Sequence, residues 1–329
     1  MQGLLEQTDW NLISLDRLDF SGNLNRLEDM LKDKAPSMKS RLRLVFGDLR
    51  ASLSPSLVRE LGQVDIILHL AAGSHVDRSI EAPMEFVLDN VVGTVNILEF
   101  ARLHQPQLER FVYFSTDEVF GPAPPGVEYS EYDRYNSGNP YAASKAGGEE
   151  FAVAYENTYK MPIVVTHTMN VFGVRQLPEK FIPRVISAVR DGEEVKIHAD
   201  PSKQIPGSRH YIHVKDVVKG LLFVLSLPRD YKHSRDFGGA NCSKFNLVGP
   251  EEINNLELAK MIARATGKEL KYQIVDYHSS RPGHDLRYDL SGDLLKRLGW
   301  EPNIKLSEGI EEITRWMLDN PRWLDNPLL

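Results

Sequence analysis

The chain has little of three things: cysteine, long apolar runs and excess positive charge. A single cysteine among 329 residues, Cys242, excludes an internal disulfide and provides no cysteine cluster for a metal. Apolar runs stay well short of the ~18 residues that a membrane-spanning helix needs. The net charge is −7, with lysine and arginine scattered along the chain, which argues against a nucleic-acid or anionic-membrane surface. We therefore expect a cytoplasmic globular protein that contains no metal.

What the sequence does contain is an alternation of strand-like and helix-like segments. Apolar runs of strand length end at polar or small residues: Asp16, Asp48, Ala71-Ala72 and Ser115-Thr116. Helical patterns separate these runs, around residues 24–31, 57–61 and 85–103. The alternation predicts an α/β fold with a doubly wound, Rossmann-like parallel sheet, in which ligands bind beyond the carboxyl ends of the strands.

The pattern changes near residue 176, where prolines become frequent and the alternation less regular. We therefore predict two domains. Residues 1–175 form the Rossmann-like domain, and residues 176–329 form mainly a smaller substrate-binding lobe, with some segments returning to the main domain.

Glycine is scarce at the place where a dinucleotide fold normally needs it. Such a fold begins with a strand, a Gly-rich turn and a helix whose amides hold a pyrophosphate. The only glycine before Asp16 is Gly3, in a segment that resembles the end of that helix. We expect about 25 residues of this first unit to be missing before Met1, because a complete strand–helix–strand unit takes about 30. Cofactor affinity should suffer without it.

Two residues one helical turn apart, Tyr141 and Lys145, are candidates for proton transfer. They begin an Ala- and Gly-rich segment that is typical of a buried helix, so they share one helix face. A phenol ionises near pH ~10, but a nearby ammonium stabilises its phenolate. The alternative is a packed tyrosine and a lysine that extends to solvent.

An acidic residue at the end of the first strand bears on the cofactor. A carboxylate such as Asp16 can accept both ribose hydroxyls of an adenosine and repels a 2′-phosphate, which favours NAD over NADP. The neighbouring Arg17 weakens this preference, because a guanidinium binds phosphate well. The alternative for Asp16 is a turn residue.

An acidic pair, Asp117 and Glu118, follows Thr116 at the end of another strand. Eliminating water from an organic molecule needs an acid for the leaving hydroxyl and a base for the carbon-bound proton. Two carboxyl groups in different environments can form that pair. The alternative is a helix cap with an acidic first turn.

Five motifs occur in order along the chain: Ser74 to Ile80 (SHVDRSI), Ser115 to Gly121 (STDEVFG), YAASK from Tyr141, Pro178 to Pro183 (PEKFIP) and Arg281 to Tyr288 (RPGHDLRY). With them the sequence resembles the extended short-chain dehydrogenase/reductase family, and within it the nucleotide-sugar 4,6-dehydratases. Gly73 departs from the pattern, since these dehydratases usually carry Glu before the first motif. That departure bears on sugar and nucleotide preference.

The resemblance implies an NAD-dependent lyase that uses dTDP-glucose and consumes no net NAD. Tyr141 with Lys145 would oxidise C4, Thr116 would hydrogen-bond the C4 oxygen, and Asp117 and Glu118 would act as acid and base. The implied cofactor residues are Asp16, Asp48, Leu49, Leu70, Ala71, Ala72, Ser115, Tyr141 and Lys145. The implied substrate residues are His75, Asn170, Glu179, Lys180, Arg209, Asn246, Arg281 and His284.

The resemblance also implies a homodimer through two long helices, residues 85–103 and 141–159. Other functions stay open: a UDP-sugar dehydratase, a nucleotide-sugar 4-epimerase, or a non-catalytic protein that binds without the Gly-rich loop.

His210 and His213 lie three residues apart, but the sequence offers no third metal ligand beside them. Each arginine of the substrate set could instead form a surface salt bridge.

Overall fold

The computed structural model describes residues 1–19, 22–228, 231, 243–276 and 286–325. They divide into two compact units. Unit 1 comprises residues 1–119, 139–167 and 222–245, and unit 2 comprises residues 120–138, 168–221 and 246–329. The sequence-based boundary after residue 175 stays a prediction.

Strands and helices alternate along the first half of the chain, as the sequence pattern predicts. The strands are β1 Leu12–Asp16, β2 Leu42–Phe46, β3 Ile66–His69, β4 Arg110–Thr116 and β5 Ile163–Thr168. The helices are α1 Gln2–Gln7, α2 Asn25–Leu31, α3 Pro36–Lys39, α4 Pro55–Leu61, α5 Val76–Glu81, α6 Pro83–Val87, α7 Gly93–His104 and α8 Pro140–Tyr159. A π-helical segment, Leu88–Val92, joins α6 to α7, and a 3₁₀ turn, Asp117–Phe120, follows β4.

The remaining strands are β6 Asn170–Phe172, β7 Glu194–Ala199, β8 Ser208–His213, β9 Ser243–Leu247, β10 Glu252–Asn254 and β11 Lys271–Asp276. The remaining described helices are α9 Phe181–Asp191, α10 Val214–Ser226, α11 Asn255–Thr266, α12 Asp293–Leu298, α13 Leu306–Asp319 and α14 Arg322–Asp325.

The sheets carry the parallel pairing that the alternation predicts. A four-stranded sheet has the order β3-β4-β5-β9, with β3 parallel to β4, and β1 pairs with β2 in a parallel sheet of its own. Beneath them lies a core that includes Leu98, Phe111, Tyr113 and Val165, all fully buried. The predicted α/β, Rossmann-like fold class is confirmed.

Unit 2 has two small sheets and its own core. Strand β8 pairs antiparallel with β10 and parallel with β6, and β7 pairs parallel with β11. Helices α9, α11 and α13 cover a second core, in which Ile186, Ile262 and Ile310 are completely buried. Among the described helices, none combines the length and apolar character needed to cross a membrane.

Candidate active site

The start of helix α8 is fixed by Asn139 and Ser79. The Asn139 side chain accepts a hydrogen bond from the Ala142 amide at 2.8 Å, as a helix N-cap does, and Pro140 occupies the first turn. The Tyr141 amide donates to Ser79 Oγ at 3.0 Å, and Ser79 is fully buried. Because two backbone amides of the first turn are held, the position of Tyr141 is set by the fold.

Lys145 is buried, only 4% exposed, so the alternative in which it extends to solvent is excluded. Its ammonium donates to the Phe114 carbonyl at 2.6 Å and lies 4.3 Å from the centre of the Tyr113 ring. Burial lowers the pKa of Lys145 to about 7, although the Glu149 carboxylate opposes that shift. Lys145 therefore lies one turn beyond Tyr141 and points to the end of β4.

The phenol of Tyr141 is half-buried and packs edge-on against Phe86, with ring centres 6.4 Å apart. Burial, the Glu118 carboxylate and more weakly Asp117 raise the pKa of Tyr141 above its ordinary value, and a hydrogen bond with Thr116 partly offsets them. The phenol is therefore protonated at neutral pH in this structure. The predicted lowering of its pKa by Lys145 stays a prediction.

The acid pair follows β4 directly and opens the 3₁₀ turn. Asp117 is 5% exposed, and its Oδ1 accepts a hydrogen bond from the Thr116 hydroxyl at 2.9 Å. Glu118 is half-buried, and Asn139 Nδ2 donates to its Oε2 at 3.1 Å. The two carboxyl groups thus have different environments and different partners.

Asn139 was not among the residues predicted from the sequence. Its side chain caps the helix that carries Tyr141 and at the same time holds the Glu118 carboxylate. The signal for the cap was present, since an Asn-Pro pair before an Ala-rich run is typical of a helix start. The contact with Glu118 joins the acid pair to the tyrosine helix.

The proposed cofactor residues also lie in unit 1. Asp16 ends β1 and accepts a hydrogen bond from the Leu18 amide at 2.8 Å, so it also makes the turn that was its alternative interpretation. A Cβ on Gly22 would lie 2.2 Å from Asp16 Oδ1, so a larger residue there would displace the Asp16 carboxylate. Asp48 and Ala71 are exposed, Leu49 and Ala72 are half-buried, Leu70 is 58% exposed and Ser115 is buried.

The loop after β3 is held by Asn90, a residue that the sequence did not single out. Asn90 Oδ1 accepts from the Gly73 amide at 2.8 Å, and its Nδ2 donates to the Gly73 carbonyl at 3.0 Å and to Ser144 Oγ at 2.8 Å. Asn90 is buried within the π-helical segment, an irregularity that is often found at functional sites. It connects the loop of Ala71 and Ala72 to helix α8.

His75, from the substrate set, caps the short helix α5 in unit 1, where its Nδ1 accepts from the Arg78 amide at 3.4 Å. The other described members of that set belong to unit 2. Asn170 Nδ2 donates to the His210 carbonyl at 3.3 Å, and Glu179 and Lys180 are half-buried just before α9. Arg281 and His284 lie outside the described residues.

Arg209 and Asn246 of the substrate set are bound into the fold of unit 2. Arg209 Nη1 donates to the Ser208 and Leu286 carbonyls, each at 2.6 Å. Asn246 is fully buried, and its amide donates to the carbonyls of Tyr129 and Ser291 at 3.2 and 3.1 Å. These contacts stabilise unit 2, so neither the Arg209 guanidinium nor the Asn246 amide is a simple surface group.

A histidine rejected as a metal ligand does gather acidic neighbours. His210, Glu252 and Asp289 place ligand atoms within 4.8 Å of one another, and His213 is not part of the cluster. The Arg287 guanidinium pairs with both carboxylates, donating to Glu252 Oε1 at 2.8 Å. The cluster therefore already contains a cation, and the residues do not call for a metal.

Comparisons with known proteins agree with this geometry. The family model of GDP-mannose 4,6 dehydratase matches residues 1–313. The dTDP-D-glucose 4,6-dehydratase of Bos taurus is 33% identical over 316 residues, which cover 95% of this chain and 82% of the relative. The dTDP-glucose 4,6-dehydratase of Salmonella typhimurium (strain LT2) is 32% identical over 345 residues, with 98% and 90% covered.

Solved structures give the same result. DesIV, a dTDP-glucose 4,6-dehydratase from Streptomyces venezuelae crystallised with NAD and dTDP bound, is similar with a TM-score of 0.81 and 34% identity, covering 96% of this chain and 90% of that one. A UDP-glucuronic acid 4-epimerase from Bacillus cereus, at 20% identity and a TM-score of 0.79, shares the fold alone. The chain therefore belongs to the GDP-mannose 4,6 dehydratase family of extended short-chain dehydrogenases/reductases, as its five motifs predicted.

Proposed function

We propose that the protein is an NAD-dependent nucleotide-sugar 4,6-dehydratase that converts dTDP-glucose to dTDP-4-keto-6-deoxyglucose. One observation carries this proposal. At the end of β4, the Thr116 hydroxyl donates to Asp117 and accepts from the Glu118 amide at 3.4 Å, and Asn139 ties the Glu118 carboxylate to the helix of Tyr141. A dehydratase needs the two carboxyl groups beside the tyrosine, whereas a 4-epimerase does not need them.

The residues of unit 1 fit NAD. The Asp16 carboxylate ends β1 at the place where such folds bind the adenosine ribose. The small residues Ala71, Ala72 and Gly73 leave room for a ring or ribose near the backbone, and Asn90 fixes their loop. When bound, NAD⁺ would supply the hydride acceptor for C4 and, once reduced, the hydride donor for C6, so none would be consumed.

The protein residues supply the proton transfers. Tyr141, ionised to its phenolate, takes the proton of the C4 hydroxyl, and the Thr116 hydroxyl, turned from Asp117, donates a hydrogen bond to the C4 oxygen. The C4 ketone makes the C5 proton acidic, and Glu118 removes it. Asp117, protonated, gives its proton to the C6 hydroxyl, which leaves as water. When the hydride returns to C6, Glu118 gives its proton back to C5. The proton that Tyr141 took up replaces, through solvent, the one that Asp117 gave, so the net change is the loss of one water.

The dTDP-glucose assignment follows the relatives of about one-third identity, which are dTDP-glucose 4,6-dehydratases. The substrate's diphosphate would need cations, and Arg209 with Arg281 would supply them. Asn170, Glu179, Lys180, Asn246, His75 and His284 complete the proposed substrate set.

We also propose a homodimer through α7 and α8, active in the cytoplasm. Three large side chains on these helices, Leu103, Phe151 and Tyr159, are 58%, 43% and 49% exposed, which is a large apolar area for a helix surface. A second copy of the same helices would cover them in a symmetric bundle.

The test incubates the purified protein with NAD⁺ and dTDP-glucose, with UDP-glucose in parallel, and examines the products by mass spectrometry. Loss of one water with no net NADH is expected, and the faster nucleotide identifies the base. An isomeric product of unchanged mass would indicate a 4-epimerase. Binding of sugar nucleotide without any product would favour a non-catalytic protein.

A further inference from the structure

A cluster of alternating charges surrounds the end of β1, and the mechanism above does not use it. Arg17 follows Asp16 directly, and Arg50 follows Asp48 and Leu49. Both guanidinium groups converge on one carboxylate, that of Asp89 in the π-helical segment. Neither the spacing nor the motifs of the sequence indicated this contact.

Both arginines donate hydrogen bonds directly to the Asp89 carboxylate. Arg17 Nη2 donates to Asp89 Oδ2 at 3.2 Å, its Nη1 donates to Oδ1, and Arg50 Nε donates to Oδ1 at 2.7 Å. Asp89 has a side chain only 10% exposed, whereas those of Arg17 and Arg50 are 28% and 29% exposed. The single carboxylate is therefore the buried centre of the cluster.

Further carboxylates occupy the outer sides of the two arginines. Arg17 Nε donates to Asp19 Oδ2 at 2.7 Å, and Arg50 also pairs with Glu85. Planar guanidinium groups that already hold carboxylates from two directions have few donors directed at a further anion. The cluster carries more negative than positive charge, because three carboxylates, those of Asp89, Asp19 and Glu85, face two arginines.

Room for the central carboxylate comes from Gly73. A Cβ on Gly73 would lie 3.3 Å from Asp89 Oδ2 and 3.1 Å from two carbons of the Phe86 ring. Those separations are tighter than ordinary side-chain contacts, so a larger residue would displace one neighbour. The absence of a side chain at Gly73 therefore leaves the Asp89 carboxylate its space.

We propose that Asp89 sets the coenzyme preference of this site. It holds the guanidinium groups of Arg17 and Arg50, so that neither can receive the 2′-phosphate of NADP beside the Asp16 carboxylate. The inference rests on the proposed function, because it concerns the coenzyme which that function needs. In such folds an acidic residue binds the ribose 2′-hydroxyl of NAD, and a nearby arginine accommodates the 2′-phosphate of NADP. Here the nearby arginine is present but engaged.

The hydrogen bonds explain why the cluster is stable without a ligand. Burial alone would raise the pKa of Asp89, but the hydrogen bonds from Arg50 and Arg17 outweigh it and hold that pKa below its ordinary value. Asp89 is therefore ionised at neutral pH.

The experiment measures the dissociation constants of NAD⁺ and NADP⁺ by isothermal titration calorimetry, without substrate, for the wild type and Asp89→Asn. The amide keeps the size of the side chain but removes its charge. We expect NADP⁺ to bind the variant about tenfold more tightly or better, NAD⁺ to change by less than about threefold, and the NADP⁺ gain to shrink at high salt. Asp33→Asn removes one exposed charge elsewhere and should change neither constant.

A triple variant separates charge release from a general structural effect. Arg17→Met and Arg50→Met in the Asp89→Asn background should abolish the gain in NADP⁺ affinity, because they remove both released cations. If Asp89→Asn folds poorly, Asp89→Ser makes the same charge change with a smaller side chain, and thermal unfolding identifies the folded variant to titrate.

The outcomes are distinguishable. Unchanged NADP⁺ affinity in a folded Asp89 variant that still binds NAD⁺ would overturn the inference and leave the proposed function intact. A gain that persists in the triple variant would also overturn it, because the released arginines would not be its source. A wild type that binds neither coenzyme would overturn the proposed function, and the inference with it.

Discussion

The proton-transfer residues of unit 1 and the proposed binding residues of unit 2 are held in different ways. In unit 1, two side-chain pairs, Thr116 with Asp117 and Glu118 with Asn139, are joined by the Glu118 backbone amide, which donates to Thr116 Oγ1 at 3.4 Å. In unit 2, the described polar side chains of Arg209 and Asn246 donate to backbone carbonyls of the same unit. The first arrangement orients the proposed reactive groups, and the second stabilises the fold.

The difference has a practical meaning for mutagenesis. Substitutions in the unit 1 group should reduce the turnover number while the protein remains folded. A side chain of similar size can preserve the packing there, but it cannot preserve the proton transfer. Changes within the second group should reduce stability first, because a buried donor or acceptor left without its partner carries a desolvation penalty. The predictions below test that contrast.

The largest effect is expected for Tyr141→Phe. Removing the phenol removes the group that takes the C4 hydroxyl proton, so the turnover number should fall by about 10³ to 10⁴. Coenzyme affinity and the melting temperature should change little, since only one hydroxyl is lost. Steady-state kinetics and thermal unfolding measure both, and Tyr272→Phe, which removes an exposed hydroxyl, is the control. If Tyr141→Phe lowered the melting temperature and the activity fell in proportion, the contrast between the two units would be wrong.

Glu118→Gln should come next, with a fall in turnover of about 10² to 10³. The amide can still accept the hydrogen bond from Asn139 but cannot take the C5 proton. Oxidation at C4 should therefore continue. In single-turnover mixing, the NADH absorbance at 340 nm should appear and remain, and no dehydrated product should be released. Glu150→Gln, on an exposed turn of α8, is the matched control. Product formation at the wild-type rate would show that Glu118 is not the base.

Asn246→Ala should produce a stability loss of about 1–3 kcal/mol, because the carbonyls of Tyr129 and Ser291 lose their buried donor. Urea unfolding followed by circular dichroism measures this change, with the exposed Asn303→Ala as control. An increase in KM at unchanged stability would contradict the contrast and place Asn246 with the ligand instead of the fold.

The smallest effect concerns the pH dependence of stability. Lys145 has a pKa of about 7 in the folded protein and an ordinary value of 10.5. Between these values the unfolded chain binds the proton and the folded chain does not, so this group makes stability rise with pH by at most about 1.4 kcal/mol per unit. Below pH 7 both states carry the proton and this contribution is constant.

Lys145→Met should remove that slope. Urea unfolding at pH 7, 8 and 9 compares the variant with the wild type, and Lys39→Met, at an exposed position, should keep the wild-type slope. Identical slopes for Lys145→Met and the wild type would mean that Lys145 keeps its proton after folding.

Local features of the fold and the site could be predicted from the sequence. Apolar runs that end at polar residues placed Asp16 and Thr116 at strand ends, and a four-residue spacing put Tyr141 and Lys145 on one helix face. These inferences depend on near neighbours along the chain, whose geometry is set by helix and strand periods.

Contacts between distant residues could not be predicted. Arg17 and Asp89 are 72 positions apart, and nothing in either local pattern indicates the other. The helix expected over residues 85–103 has a π-helical segment at Leu88–Val92, which rotates the residues that follow it, whereas apolar periodicity suggests one continuous helix. The contact of Asn139 with Glu118 was missed for the same reason, because capping alone explains an Asn at a helix start.

Asn139 links thermal behaviour to chemistry. The side chain that starts helix α8 is also the one that holds Glu118, so fraying of the first helical turn displaces the base and Tyr141 in a single event. Helix ends open at far lower cost than whole domains. Enzyme activity should therefore decline on warming before the global melting transition begins. The Ala142 amide should be among the first backbone groups of the helix to exchange its hydrogen with solvent.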